Sequence, residues 1–182
     1  MGVSKVDLLI RARAYVRGSV KETYIGITGS EVSYVGNEPI EAGSKLELPS
    51  QYLLLPGFVD IHVHFRDFEL SYKEDAISGT QAALAGGYVA VGDMPNTRPP
   101  IRTVELLKRK IEEFSKKTNL HIRHYLGAPQ DPSVLKDALS NGAHAVGEVL
   151  PEEVLEYGGD QYLESLFREA ARGGITVIMH CE

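Results

Sequence analysis

Two rhythms of apolar and polar positions divide the chain. Up to residue 55 the apolar positions fall in short runs rich in β-branched and aromatic residues. These are VDLLIRARAYV, ETYIGITG, EVSYVG and KLELPSQYLLL, with Gly, Asn or Ser between them. Such runs read as strands joined by turns. No helical period stands out, and the expectation is a small antiparallel β unit over residues 1–55.

From Pro56 the period changes. Apolar runs of strand length alternate with longer amphipathic stretches. The runs are GFVDIHVHF (57–65), YVAVGDM (88–94), HIRHYLG (121–127), AHAVGEV (143–149) and ITVIMH (175–180). Between the first two, SYKEDAISGTQAALAGG offers Ser71 and Glu74 as a capping box and Gly86–Gly87 as a stop. In TVELLKRKIEEFSKKTN, Val104, Leu107, Ile111 and Phe114 form one helix face, and lysines gather in the last turn. DPSVLKDALSNG has Asp131 as N-cap, Pro132 at the first helical position and Asn141–Gly142 as a stop. DQYLESLFREAARGG predicts a helix from Asp160 to Gly173–Gly174.

Strand and helix thus alternate four times before a fifth strand. This order predicts a parallel sheet covered by helices, either an open doubly wound sheet or part of a (β/α)8 barrel. In both, the chemistry sits at the carboxyl ends of the strands. No GxGxxG follows a strand and no phosphate loop is present, which disfavours nucleotide binding.

Composition narrows the classes. Of 182 residues, 43% are hydrophobic and 24% charged, ordinary for a soluble globular protein. The balance of 19 basic and 25 acidic residues argues against nucleic acid as the main partner. It leaves room for a small anionic substrate. The single cysteine, Cys181, excludes an internal disulfide and suits a reducing compartment. No apolar run approaches the roughly 18 residues of a spanning helix, so no membrane is expected and the cytoplasm is the simplest location.

The candidate chemistry lies at the strand ends. Alternation along the first parallel strand puts Asp60, His62 and His64 on one face. Two imidazoles at i and i+2 can reach one divalent ion. Alone, the pair is a weak signal and more often a polar face on a half-buried strand. His180 at the end of the fifth strand and Glu148 at the end of the fourth favour a metal, with Asp93 and Asn96 beyond the second. Together they make a mixed N and O donor set. A carboxylate there can bridge two ions, which is machinery for hydrolysing an amide or ester. Arg66, just after the histidines, can hold a carboxylate bidentately or form a surface ion pair. His121, His124 and His144 read as scaffold or surface, and Cys181 as a small buried side chain on the face opposite His180.

PGFVDIHVHFRD together with GDMPNTRPP resembles the dihydroorotases of the amidohydrolase superfamily. The similarity extends to VDLLIRARAYV and the closing MHCE, and so covers essentially the whole chain. Hydantoinases and allantoinases share the histidine pair and are the alternative. The resemblance implies a (β/α)8 barrel over residues 56–182 and beyond, with residues 1–55 as the N-terminal part of a composite β-sandwich. It implies zinc, one ion or two, with His62 and His64 as ligands of the first and His180 of the second. Arg66 and Asn96 match the positions that hold a substrate carboxylate. The implied reaction is the reversible interconversion of N-carbamoyl-L-aspartate and dihydroorotate in pyrimidine synthesis. Many members carry a carboxylated lysine on the fourth strand as a bridge; here Glu148 is the best aligned residue, with a different reach. A full barrel takes about 250 residues. The chain therefore carries about five of the strands and is expected to be the N-terminal half of a longer enzyme, its catalytic aspartate lying beyond the last residue. Open sheet edges should then favour association, or the chain acts as a non-catalytic fragment or assembly subunit.

Overall fold

Strand β1 (Lys5–Val16) is the spine of the first unit, which ends at Pro56. The computed structural model describes residues 4–181; Glu182, the last residue of MHCE, lies outside them. β1 turns at Arg17–Gly18, both with positive φ (50° and 83°), into β2 (Ser19–Thr28), with Val16 opposite Ser19. A two-residue loop with positive φ at both positions matches the right-handed twist of the paired strands. β3 (Glu31–Gly36) follows antiparallel to β2. Val6, Ala12 and Ala14 of β1 are buried on one face, and Leu9 on the other.

The antiparallel expectation needs one correction. β4 (Glu41–Glu47) runs parallel to β1, and the sheet order is β3-β2-β1-β4. Residues 37–40 carry the chain over the sheet to its other edge, Pro39 lining a concavity with Leu9, Arg11 and Tyr24. The LPSQYLLL segment expected as strand is largely irregular, with Leu54 bridging to Ala14.

In the second unit, β5 (Phe58–Val63), β6 (Tyr88–Asp93) and β7 (His121–His124) form one parallel sheet. β8 (Ala145–Val149) and β9 (Thr176–Met179) form a second. A short seam joins them. His144 donates to the His124 carbonyl (3.0 Å), Leu126 to that of Ala145 (3.0 Å) and Gly147 to that of Leu126 (2.8 Å). The five strands therefore follow chain order, without the reversal that defines a doubly wound sheet. β5 lies at the edge, and its Val59 and Ile61 are 61% and 69% exposed.

The starts of the first two α-helices follow side-chain caps. α1 (Ala76–Ala85) begins at Asp75, which accepts from the Ser78 amide, while Ser78 reciprocates. The Ser71–Glu74 box is thus displaced by one turn: Ser71 closes a single 3-10 turn, Phe68–Leu70. The reason is that the Glu74 carbonyl is taken by the Asp67 amide (3.0 Å), which keeps 71–74 out of the helix. α2 (Val104–Ser115) is capped by Thr103. α3 (Leu135–Ser140) follows a 3-10 turn, Pro132–Val134, capped by Asp131. α4 (Pro151–Tyr157) is an additional helix between β8 and α5 (Asp160–Gly173), which stops at left-handed Gly174. Leu107, Leu126, Leu135, Val146, Val149 and Leu166 are buried to 1% exposure or less and weld helices to strands. Each such side chain contributes about 1.5–3 kcal/mol relative to its exposed state.

Candidate metal centre

His62 belongs to β5 and His64 lies just past its end. Their rings sit 5.2 Å apart, tilted by 55°. Across from them, Glu148 near the end of β8 points its carboxylate between the two. Oε1 is 3.8 Å from His62 Nε2 and Oε2 is 4.0 Å from His64 Nε2. One ligand atom from each of the three residues lies within 4.8 Å of the others. A zinc ion with bonds of roughly 2.0–2.2 Å keeps its donors within about 4 Å of one another. Two imidazole nitrogens and a carboxylate are also the right donor types, so the residues fit a divalent cation after a small contraction.

Glu148 reaches this place because of its neighbour. Gly147 has φ 131°, and a side chain there would collide with the Ile178 carbonyl of β9. The close approach of β8 and β9 also brings His180 alongside, its Nδ1 hydrogen-bonded to Glu148 Oε1. Burial pushes the Glu148 carboxyl up. The His180 bond and the charges of His180, His64 and His62 outweigh that push and hold it below its ordinary value. The His64 pKa is lowered as well: burial, then the Arg66 charge, reduce its affinity for protons, with Glu148 opposing. A neutral imidazole is the form that ligates a metal.

Arg66 is half-buried, and Nη1 donates to the Asn96 carbonyl at 3.3 Å. Among the described residues it makes no ion pair. The Asn96 side-chain oxygen is buried without a hydrogen-bond partner. The Arg66 guanidinium thus lies against the backbone of Asn96. Arg66, Asp67 and Phe68 all have positive φ, at 57°, 58° and 49°. Such non-glycine residues cost of order 1–3 kcal/mol each.

The remaining candidates fall elsewhere. Asp60 accepts from the His62 amide at 3.0 Å. Asp93 is fully buried under the histidine strand, accepting from the Phe65 amide at 3.0 Å. His121 and His144 are exposed and His124 is buried against Phe114; none joins the donor cluster. Cys181 is exposed, not buried as expected, because it lies past β9, where strand alternation no longer holds. The sequence reading missed Lys110 altogether and saw Lys117 only as one of the lysines at a helix end. Both are partners of aspartates next to the centre.

The model of the Amidohydrolase family matches residues 53–182. The chain belongs to the amidohydrolase family. As an amidohydrolase it is 45% identical over 178 residues to the dihydroorotase of Pyrobaculum aerophilum, covering 98% of this chain and 42% of that protein. To the dihydroorotase of Aeropyrum pernix it is 34% identical, covering 86% of this chain and 36% of the relative. The chain therefore spans less than half the length of these amidohydrolase relatives. Its fold matches that of the L-hydantoinase of Arthrobacter aurescens with a TM-score of 0.78 at 22% identity, covering 97% of this chain and 41% of that one. It also matches N-acyl-D-glutamate deacylase from Bordetella bronchiseptica, which is complexed with zinc and a phosphonate inhibitor, with a TM-score of 0.62 at 15% identity and coverage of 97% and 45%.

Proposed function

We propose that this chain carries the metal-binding and carboxylate-binding part of a cyclic amidohydrolase of the dihydroorotase type. Its five parallel strands are then the first five of a (β/α)8 barrel, and residues 1–55 are part of a composite β-sandwich. The observation that carries the reading is the convergence of His62, His64 and Glu148 next to Arg66, whose guanidinium has no anionic partner among the described residues. The relatives named dihydroorotase support the choice of substrate class.

In this reading His62 and His64 hold a divalent ion, zinc by preference, through Nε2, and Glu148 holds it through a carboxylate oxygen. A second ion, where one binds, would be held by His180. The ion supplies Lewis acidity for the attack of water on a ring amide carbonyl. The protein residues do the rest. Arg66 pairs with the substrate carboxylate, and the Asn96 side chain hydrogen-bonds beside it. Held at both ends, the ring presents its amide to the histidine cluster, which lowers the entropic barrier to reaction. We assign no general base within residues 4–181. The substrate is N-carbamoyl-L-aspartate in one direction and dihydroorotate in the other, and the setting is cytoplasmic. We also propose that the exposed edge of β5 is a surface of association.

The test is metal analysis of the purified chain followed by an assay with N-carbamoyl-L-aspartate and added zinc. Zinc binding is expected; turnover, abolished in Arg66→Ala, would overturn the expectation that the catalytic aspartate lies beyond these residues. Tight zinc without turnover would make the isolated chain a non-catalytic subunit. Turnover of a hydantoin with indifference to Arg66→Ala would favour the hydantoinase reading.

A further inference from the structure

The run Arg66–Asp67–Phe68 poses a problem of backbone conformation. Asp67 has φ 58° and ψ −166°, a combination otherwise kept almost entirely for glycine. An aspartate there is costly unless its side chain does something that glycine cannot. Its carboxylate is nearly inaccessible, and all of its contacts are accounted for. Oδ1 accepts from the Phe68 amide at 2.7 Å, and Oδ2 from the Ala76 amide at 3.0 Å. Lys117 Nζ, just beyond the end of α2, sits 2.9 and 2.8 Å from the two oxygens. The Asp67 amide donates to the Glu74 carbonyl at 3.0 Å. One side chain therefore ties the loop after β5 to the start of α1 and the end of α2.

Arg66 lies immediately before this knot. Its own left-handed backbone sends the side chain toward the loop after β6, where Nη1 meets the Asn96 carbonyl. A second bond between the same two loops, from the Glu69 amide to the Arg98 carbonyl (3.4 Å), keeps them in step. An extended or right-handed backbone at 66–68 would redirect the guanidinium.

We propose that Asp67 is the positioning residue for Arg66: its carboxylate, clamped by Lys117, locks the left-handed run that aims the Arg66 guanidinium at an incoming carboxylate. The inference rests on the reading of Arg66 as the substrate-carboxylate ligand. Asp67 touches no substrate; it acts through Arg66 alone. Charge-assisted, prearranged donors bind anions more tightly than donors that must first be ordered.

The test compares the full chain with Arg66→Ala, Asp67→Asn, Asp67→Gly, Lys117→Met and the Arg66→Ala/Asp67→Asn double variant, all zinc-loaded. Binding of N-carbamoyl-L-aspartate is measured by calorimetry, and the Arg66 Nε–Hε resonance is followed by NMR without ligand. Arg66→Ala should weaken binding about tenfold or more, the range of a lost charge-assisted bond. Asp67→Asn should weaken it in the wild-type background and not in the Arg66→Ala background, the signature of action through one residue. Asp67→Gly relieves the backbone without supplying a carboxylate, so it should fold at least as stably as Asp67→Asn and still bind poorly. Lys117→Met should show a smaller loss in the same direction. In each Asp67 variant the Arg66 resonance should move toward the position of a solvent-exposed arginine. A purely architectural Asp67 would change the unfolding midpoint alone. The proposal is overturned if Asp67→Asn leaves both the affinity and the Arg66 resonance at their wild-type values, or weakens the Arg66→Ala background by the same factor. If Arg66→Ala binds as the wild type does, the parent reading fails, and the resonance alone decides whether Asp67 sets the arginine.

Discussion

Lys110 Nζ lies 2.7 Å from Asp93 Oδ2, and both side chains are completely buried. The lysine also donates to the Met94 carbonyl at 3.1 Å and stands 5.3 Å from the centre of the Phe114 ring. Burial pushes the Asp93 carboxyl up, and the Lys110 ammonium opposes that push. The other Asp93 oxygen holds the Phe65 amide, one residue past His64. A helix on the outside of the sheet is thus connected, through one ion pair, to the backbone that carries a candidate metal ligand.

Removing one partner of that pair leaves an uncompensated buried charge. Lys110→Met is expected to destabilise the chain by about 3–5 kcal/mol. The Lys110→Met/Asp93→Asn double variant should recover part of the loss, since it buries no lone charge. Urea unfolding of the three proteins checks this; equal losses in the single and double variants would contradict it.

His124 supplies a pH dependence. Burial, then the charges of Lys110 and His144, lower its pKa to about 3. The unfolded chain binds a proton at this histidine below about 6.5, whereas the folded chain refuses it until about 3. Stability is therefore full above 6.5 and is lost as pH falls toward 3, at up to about 1.4 kcal/mol per pH unit. His124→Leu should show a flatter profile than wild type between pH 4.5 and 6.5 by about one bound proton. Parallel profiles would mean that His124 is protonated in the native state.

The donor cluster makes a prediction about zinc that does not need turnover. Zinc should raise the unfolding temperature of the wild-type chain by mass action, worth about 2.7 kcal/mol at a hundredfold excess over Kd. His62→Ala, His64→Ala and Glu148→Gln should each lose most of that shift, and His121→Ala should keep it. Retention of the full shift in all three cluster variants would place the ion elsewhere.

The edge of β5 predicts association. Unpaired strand edges with exposed β-branched residues recruit other strands. Sedimentation of the chain should show species heavier than the monomer, and Ile61→Lys should reduce them. A monodisperse monomer with a single cooperative unfolding transition would remove the proposal.

Much of this arrangement was legible from residue order. The change of period at Pro56 marks the division between the two units, and the five apolar runs of the second unit are its five strands, because a short β-branched run between helices has few other places to go. The pair His62 and His64 and the distant Glu148 and His180 were all visible as strand-end residues. Other features were hidden because they depend on tertiary neighbours. The Ser71–Glu74 pattern has the spacing of a capping box, yet the Asp67 bond to Glu74 overrides it. Lys110 follows the apolar stripe of α2 closely enough to be buried, but only a buried Asp93 makes that tolerable. Lys117 looked like a helix-end charge and instead meets a carboxylate fifty positions earlier. α4 escaped because PEEVLEY is too short to show a period.

His62 and His64 ride on one sheet, while Glu148 and His180 ride on the other, and strand-to-strand hydrogen bonding between the two is confined to the brief seam of β7 and β8. A cation held by His62, His64 and Glu148 would therefore be a further tie across that seam. Parting of the two sheets there would break that tie, so a bound cation would slow it.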